Sequence, residues 1–270
     1  MAIRLAALDV DGTLLAPDNS ITPATRQAIR EAKDAGLEIV VCTGRSFVEV
    51  QDILRQLPEV RYLSCGTGAY ALDVWTMEML YECSMPSELG KAAYRAVAQA
   101  DCMVHFYTGL SVRHSRWCMD HFSDYMEEKM RPLMEKTHII EDDLDAYVEN
   151  SHDPVYKLYV TFPRKEEYDK AYNAVKNLPV FLTDGGWAID LEVMSRDTDK
   201  GVALKALAER LLERGLHHVR LCLPYSMGGM VDTLHSQAKV LSCRYEAEGI
   251  LVEAIMDETL YGRLLPYVTE

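Results

Sequence analysis

Short apolar runs alternate with segments of helical period along the first part of the chain. Residues 3–8 are almost wholly apolar, as a strand buried on both faces requires. A polar loop, 9–19, follows. Thr22-Pro23 predicts a helix start, with Thr22 as N-cap and Pro23 at the first helical position, where its missing N–H costs nothing. Ala28, Ile29 and Ala32 recur at helical spacing, and Gly36 closes the helix. A second apolar run, 37–41, leads directly into Thr43-Gly44-Arg45. A helix over 47–57 and a strand over 60–64 come next. Strands alternating with helices predict a parallel sheet with right-handed crossovers.

The pattern changes near Ser84. From 86 to 187 the chain is richer in Tyr, Met and His, with helical stretches at 87–99, 117–136 and 165–177 and strand-like runs at 103–107 and 155–162. This reads as a separate α/β domain, residues 85–188, inserted into a first domain made of 1–84 and 189–270. The parallel pattern then resumes, with a helix from Lys200 to about residue 214 and a strand over 218–223. The fold expected is an α/β protein with a doubly wound, parallel, Rossmann-like core and an inserted α/β domain.

Composition narrows the partners. The formal net charge is −14, which repels nucleic-acid phosphates and anionic lipid, so neither is an expected partner. An anionic substrate must be drawn in by local positive groups. No run approaches the ~18 apolar residues of a membrane span. No basic segment precedes an apolar stretch with a small-residue cleavage site, so no signal peptide is expected. The seven cysteines are scattered and odd in number, which fits free thiols in a reducing cytoplasm.

In open parallel sheets, ligands bind beyond the carboxyl ends of the strands. Three polar clusters fall at that edge. Asp9 and Asp11 are two apart, so at strand spacing both side chains point one way. Two such carboxylates repel unless they share a cation or a proton. A hard cation such as Mg²⁺ resolves this and also accepts phosphate oxygens. One carboxylate can then attack phosphorus, while the other handles the leaving-group and water protons. Gly12 lets the chain turn sharply; an ordinary Asp-Gly turn is the competing reading. Thr43, with the Gly44 N–H, can donate to a phosphate oxygen, or can cap the next helix. Lys200 sits at a helix N-terminus, against the dipole. That suggests a nearby anion, or simply pairing with Asp197 or Asp199.

These clusters, in this order, resemble the haloacid dehalogenase (HAD) superfamily and its Cof-type, sugar-phosphatase-like branch. The likeness rests on Leu8-Asp9-Val10-Asp11-Gly12-Thr13-Leu14, Ile21-Thr22-Pro23, Val41-Cys42-Thr43-Gly44-Arg45, the inserted domain, Asp199-Lys200-Gly201-Val202-Ala203-Leu204 and Glu248-Gly249-Ile250. It implies a phosphomonoester hydrolase for small phosphorylated metabolites. Asp9 would be the nucleophile and a Mg²⁺ ligand. Asp11 would be the general acid/base, with its carbonyl on the metal. Thr43 and Gly44 would hold the phosphoryl group, Lys200 would stabilise the charge it shares with Asp9, and the inserted domain would act as a cap.

Two departures stand out. The family's Gly-Asp-x-x-Asn-Asp element, which completes the metal site, is replaced by Leu223-Pro224-Tyr225-Ser226-Met227-Gly228-Gly229-Met230-Val231-Asp232. Pro224 and Gly228 stand where the acids belong, and Asp232 is the nearest acid and candidate replacement ligand. The family's Asn-Gly-Ala loop reads Cys65-Gly66-Thr67-Gly68-Ala69. The first loss implies weaker metal binding and a weakened phosphatase; a phosphate-ligand binding or regulatory protein on the same scaffold is the alternative.

Other signals count for less. His114, Cys118 and His121 have near metal-ligand spacing but no evident fourth ligand. Trp75, Phe106, Tyr107 and Trp117 are read as core packing rather than a sugar pocket. Glu141-Asp142-Asp143 reads as a solvated turn or helix start, and Met227 and Met230 as packing.

Overall fold

The computed structural model describes residues 5–16, 18–186 and 188–269. Ile3 and Trp187 lie outside the described residues. The chain divides into two compact units, Met1–Leu207 and Ala208–Glu270.

In the first unit, β1 (Leu5–Leu8), α1 (Pro23–Asp34), β2 (Glu38–Cys42), α2 (Phe47–Gln56) and β3 (Tyr62–Cys65) form the expected βαβαβ run, with β1, β2 and β3 parallel. Thr22 caps α1, its hydroxyl accepting from the Thr25 N–H at 3.1 Å. The sheet then turns antiparallel: β4 (Tyr70–Asp73) and β5 (Glu78–Glu82) extend it to the order β1-β2-β3-β4-β5. Among the described residues β1 has one hydrogen-bonded neighbour, β2, and its Ala7 is exposed with Leu5, Ala6 and Leu8 half-buried, unlike the two-sided burial expected of it.

A second sheet follows, built from α3 (Ser87–Val97), β6 (Met103–Thr108), β7 (Ser111–Ser115), α4 (Arg116–Asp120), α5 (Arg131–Thr137), β8 (Ile139–Glu141), α6 (Leu144–Asn150), β9 (Val155–Thr161), α7 (Lys165–Val175), β10 (Val180–Thr183) and β11 (Asp190–Ser195). Its strand order is β10-β11-β9-β6-β7-β8. β11 therefore pairs with the inserted domain's strands, past the boundary expected at 188. The single helix expected over 117–136 is broken. Pro132 lies in the first turn of α5, where its ring and lost N–H fit a helix start rather than an interior. Arg131 also donates to the Met119 carbonyl at 2.7 Å, and Cys118, Met119, Phe122, Tyr125 and Met134 fold into one small cluster.

This second sheet has two unlike faces. Val104, Phe106, Leu158, Val160, Leu191 and Val193 pack with Ala93, Val97, Ala171 and Val175 of α3 and α7. The alternate positions are His105, Tyr107, Lys157, Tyr159, Asp190 and Glu192, as the two-residue period of a strand demands. This polar face meets the first sheet's elements: Tyr107 and Tyr159 join their apolar cluster. Phe106 and Tyr107 are core residues as expected, but Trp75 and Trp117 are exposed. Trp75 lies under the Arg61 guanidinium, and Trp117 stacks on His121.

Helix α8 (Lys200–Arg214) runs across the division of the chain. The second unit contains β12 (Leu216–Leu223), α9 (Gly228–Gln237), β13 (Lys239–Glu246), β14 (Gly249–Asp257) and α10 (Glu258–Leu264). β14 is central and antiparallel to both neighbours, so the parallel pattern expected to resume at 218 does not. Alternation explains this: Val219, Leu221 and Leu223 on β12 and Ile250, Val252, Ala254 and Met256 on β14 bury one face only. Met227 and Met230 pack against this core as expected.

Candidate active site

The Asp9–Thr13 run forms a wide turn at the end of β1. Leu14 N–H donates to the Asp9 carbonyl (3.1 Å) and Leu15 N–H to the Val10 carbonyl (3.0 Å). Val10 and Leu14 are buried and anchor the turn, while Asp9, Asp11 and Thr13 face outward. Gly12 has φ of +74°, a left-handed conformation that glycine adopts without strain.

Each carboxylate has its own cation. Lys200 Nζ donates to Asp9 Oδ1 at 2.8 Å. Arg45 grips Asp11 with two bonds, Nε to Oδ2 at 3.0 Å and a terminal nitrogen to Oδ1 at 2.6 Å. The repulsion inferred from the two-residue spacing is thus relieved by two separate pairs. Burial opposes the Arg45 charge, but the Asp11 bonds more than compensate and raise its pKa.

Lys200 pairs with Asp9, not with Asp197 or Asp199. Asp199 caps α8, its Oδ1 accepting from the N–H groups of Gly201 (2.8 Å) and Val202 (3.0 Å). Thr43 is buried and does not cap α2. Its Oγ1 accepts from the Arg45 N–H at 3.1 Å. Ser46 holds the cap position of α2, where Glu49 folds back to accept from the Ser46 N–H (2.7 Å) and hydroxyl (2.8 Å).

The loop after β3 closes the site. Thr67 N–H donates to the Thr43 carbonyl (3.2 Å) and Gly66 N–H to the Arg45 carbonyl (2.9 Å). Gly68 has φ of +96°, and a Cβ there would stand 2.5 Å from the Asp199 carbonyl and 2.7 Å from the Lys200 nitrogen. That glycine therefore lets the loop sit against the peptide that presents Lys200.

The second sheet reaches the same loops. Lys157, buried on β9, donates to the Gly44 carbonyl and to Glu192 Oε1, both at 2.8 Å. Thr67 Oγ1 donates to Glu192 Oε2 at 3.3 Å. Asp190 accepts from the Tyr159 hydroxyl (3.1 Å) and the Gly185 N–H (2.6 Å). Burial foremost, and then Asp190 beside it, raises the Tyr159 pKa. Lys157, Glu192, Tyr159 and Asp190 carry no motif; their alternation along β9 and β11 is the signal that could have found them.

Of the predicted residues, the fold brings Asp9 to Lys200 and Asp11 to Arg45, and packs Thr43 and Gly44 against the same loops. Asp232 lies on α9, in the second unit. Pro224 precedes a short turn, Tyr225–Met227, and α9 begins at Gly228, so no acidic side chain occupies this stretch. His114, Cys118 and His121 do not assemble. Cys118 Sγ lies against the Cys102 carbonyl, and His121 Nδ1 bonds the Trp117 carbonyl. Asp143 caps α6, accepting from the Ala146 N–H at 2.8 Å. All seven cysteines are free. Among the described residues, no helix is long and apolar enough to cross a membrane.

The Asp-x-Asp turn after β1, the lysine that α8 returns to it and the second sheet that reaches the Gly44 and Thr67 loops all lie within one matched stretch of the chain. Residues 6–214 match the family model of the haloacid dehalogenase-like hydrolases, and the chain belongs to that family. It is 28% identical over 209 residues to an HMP-PP phosphatase of Yersinia enterocolitica, covering 77% of this chain and 72% of that one. A 104-residue stretch is 34% identical to the HMP-PP phosphatase of Yersinia pestis, 38% of either chain. Among solved structures, a haloacid dehalogenase-like hydrolase from B. subtilis superposes with a TM-score of 0.65 at 20% identity, over 78% of this chain and 79% of that one.

Proposed function

We propose that this enzyme hydrolyses phosphomonoesters of small metabolites through an aspartyl-phosphate on Asp9, with Mg²⁺ as cofactor. The observation that carries the reading is the Lys200–Asp9 contact at 2.8 Å, made across 191 residues of sequence. The lysine sets a positive charge beside the carboxylate that attacks phosphorus. Its attack on phosphorus expels the alcohol, and Asp11 delivers the proton the leaving oxygen needs. Asp11 then takes a proton from the water that releases phosphate. The Arg45 fork holds Asp11 beside Asp9 between turnovers and must loosen for that proton to move. Thr43, Gly12 and Gly44 line the space for the transferring phosphoryl group, and Lys200 offsets its charge.

The donors fit a hard divalent cation. Asp9 keeps Oδ2, and the Asp11 main-chain carbonyl adds a second oxygen, whereas both Asp11 side-chain oxygens are engaged by Arg45. Asp9 and the Asp11 carbonyl would hold Mg²⁺, which supplies charge neutralisation on the phosphoryl oxygens. With Pro224 and Gly228 in place of acids, Mg²⁺ would be held by fewer carboxylates, and we read the enzyme as one that needs high Mg²⁺. The relative's designation as an HMP-PP phosphatase supports a small phosphorylated substrate.

Hydrolysis of an aryl phosphate with and without Mg²⁺ tests this. Turnover that requires Mg²⁺ and vanishes in Asp9→Asn is expected. Equal rates in the parent and Asp9→Asn, across aryl and sugar phosphates, would instead favour a phosphate-binding protein on this scaffold.

A further inference from the structure

His105 on β6, His114 on β7 and His138 just before β8 bring three imidazoles together inside the second sheet. The register that pairs Phe106 with Arg113 sets His105 opposite His114. All three rings are buried, and one nitrogen from each lies within 4.8 Å of the others. Ring centroids are 5.2–5.8 Å apart.

Both nitrogens of His105, both of His114 and Nδ1 of His138 are buried without a hydrogen-bond partner among the described residues. A neutral imidazole carries one N–H and one lone pair, and each such group left unpaired in the interior is destabilising. Two wholly orphaned rings facing a third that is paired on one side only are therefore an unfavourable way to fill a core. A single cation that took one lone pair from each would engage one nitrogen of every ring, leaving an N–H on His105 and another on His114.

His138 shows which way its ring is set. Its Nε2 lies 3.1 Å from Glu49 Oε1, so Nε2 carries the proton and Nδ1 presents the lone pair. Glu49 is itself fixed by Ser46 and by the Tyr107 hydroxyl at 3.4 Å. A carboxylate behind a histidine is the arrangement that orients metal-binding imidazoles.

We infer that His105, His114 and His138 form a binding site for a transition-metal ion of the Zn²⁺ class, with Glu49 as the carboxylate that orients His138. Three imidazoles suit Zn²⁺ and its Co²⁺ analogue and do not suit Mg²⁺, so the site is chemically separate from the oxygen donors of Asp9 and Asp11. The bound ion would join β6, β7 and the start of β8 and, through Glu49, helix α2, which begins just after the Thr43–Arg45 loop.

The test uses the full chain, stripped with chelator and then titrated with Zn²⁺ or Co²⁺. Expected are one tightly held Zn²⁺ per chain, a rise in melting temperature, and the intense visible absorption of four-coordinate, nitrogen-bound Co²⁺. These persist in Asp9→Asn, which disables the other candidate metal site, and vanish in His114→Phe. Glu49→Gln keeps the absorption but weakens affinity roughly 10–100-fold. Weak, six-coordinate Co²⁺ absorption in the parent, or binding lost in Asp9→Asn, overturns the site and leaves a packed cluster of neutral rings. That readout needs no histidine variant, so a misfolded His114→Phe does not blunt it.

Discussion

Thr67 holds φ of +62°, a conformation that costs a β-branched residue about 1–3 kcal/mol. It sits between Gly66 and Gly68, and the whole loop is bent so that its backbone meets Thr43, Arg45 and the Asp199–Lys200 peptide. Strain is held at the point where three distant segments must converge. Gly68 makes the clearest test. A methyl group there collides with main-chain atoms of Asp199 at 2.5 Å, and a backbone cannot swing aside as a flexible side chain can. Gly68→Ala is expected to cost roughly 2–4 kcal/mol in stability and, by moving Lys200 off Asp9, to lower kcat on the order of 100-fold. Gly66→Ala is the control. Its left-handed φ of +59° brings comparable strain, but its Cβ would meet the Ala69 Cβ, not the lysine peptide. Denaturant melts and kcat measured on both variants separate the effects; equal kcat losses would mean that the loop's integrity, not the position of Lys200, is what matters.

Strand β9 carries the second sheet's contact with the Thr43–Arg45 loop. Lys157 is buried with Glu192, and breaking such a pair from one side leaves an uncompensated charge, typically at a cost of about 3–5 kcal/mol. Lys157→Met is expected to show a destabilisation of that order, whereas Lys157→Met/Glu192→Leu recovers most of it. The double variant still lacks the bond to the Gly44 carbonyl, so its KM for an aryl phosphate rises. A double variant as unstable as the single would show that Glu192 is not the group left stranded. At this scale the sequence was readable where one element dictates its own form. Thr22-Pro23 starts α1, Gly36 ends it, and the apolar runs give β2 and β3. Asp9, Asp11 and Lys200 were legible because each breaks a local rule: paired like charges in the first case, a cation at a helix N-terminus in the other. Lys157, Glu192 and the three histidines break none. Polar residues at alternate strand positions look like a solvated face, and only the pairing of β6, β9 and β11 against the first sheet turns that face inward. The helix expected over 117–136 failed for the converse reason, since tertiary contacts of Phe122 and Arg131 override a helical period that Pro132 already interrupts. In the second unit the alternation of Val219, Leu221 and Leu223 was present in the sequence, and it marked an antiparallel strand.

Over the whole molecule, the charge and the site pull in opposite directions. The net charge of −14 sets up a long-range field that repels a phosphorylated substrate. On the proposed reading Lys200 and Arg45 would attract it at short range, yet each already faces a carboxylate, so their reach beyond the site is small. Salt distinguishes the two ranges. Raising ionic strength from about 0.01 to about 0.1 M shortens the screening length from roughly 30 to roughly 10 Å, which removes the distant repulsion first and spares contacts within the loops. kcat/KM for a charged aryl phosphate is therefore expected to rise over that interval while kcat holds steady, because the step that benefits is encounter. At still higher salt the local attraction is screened too, and kcat/KM should pass a maximum and fall. A steady decrease from the lowest salt would mean that the basic groups at the Thr43 and Asp9 loops govern approach at every distance. The acidic surface would then be no obstacle to the substrate.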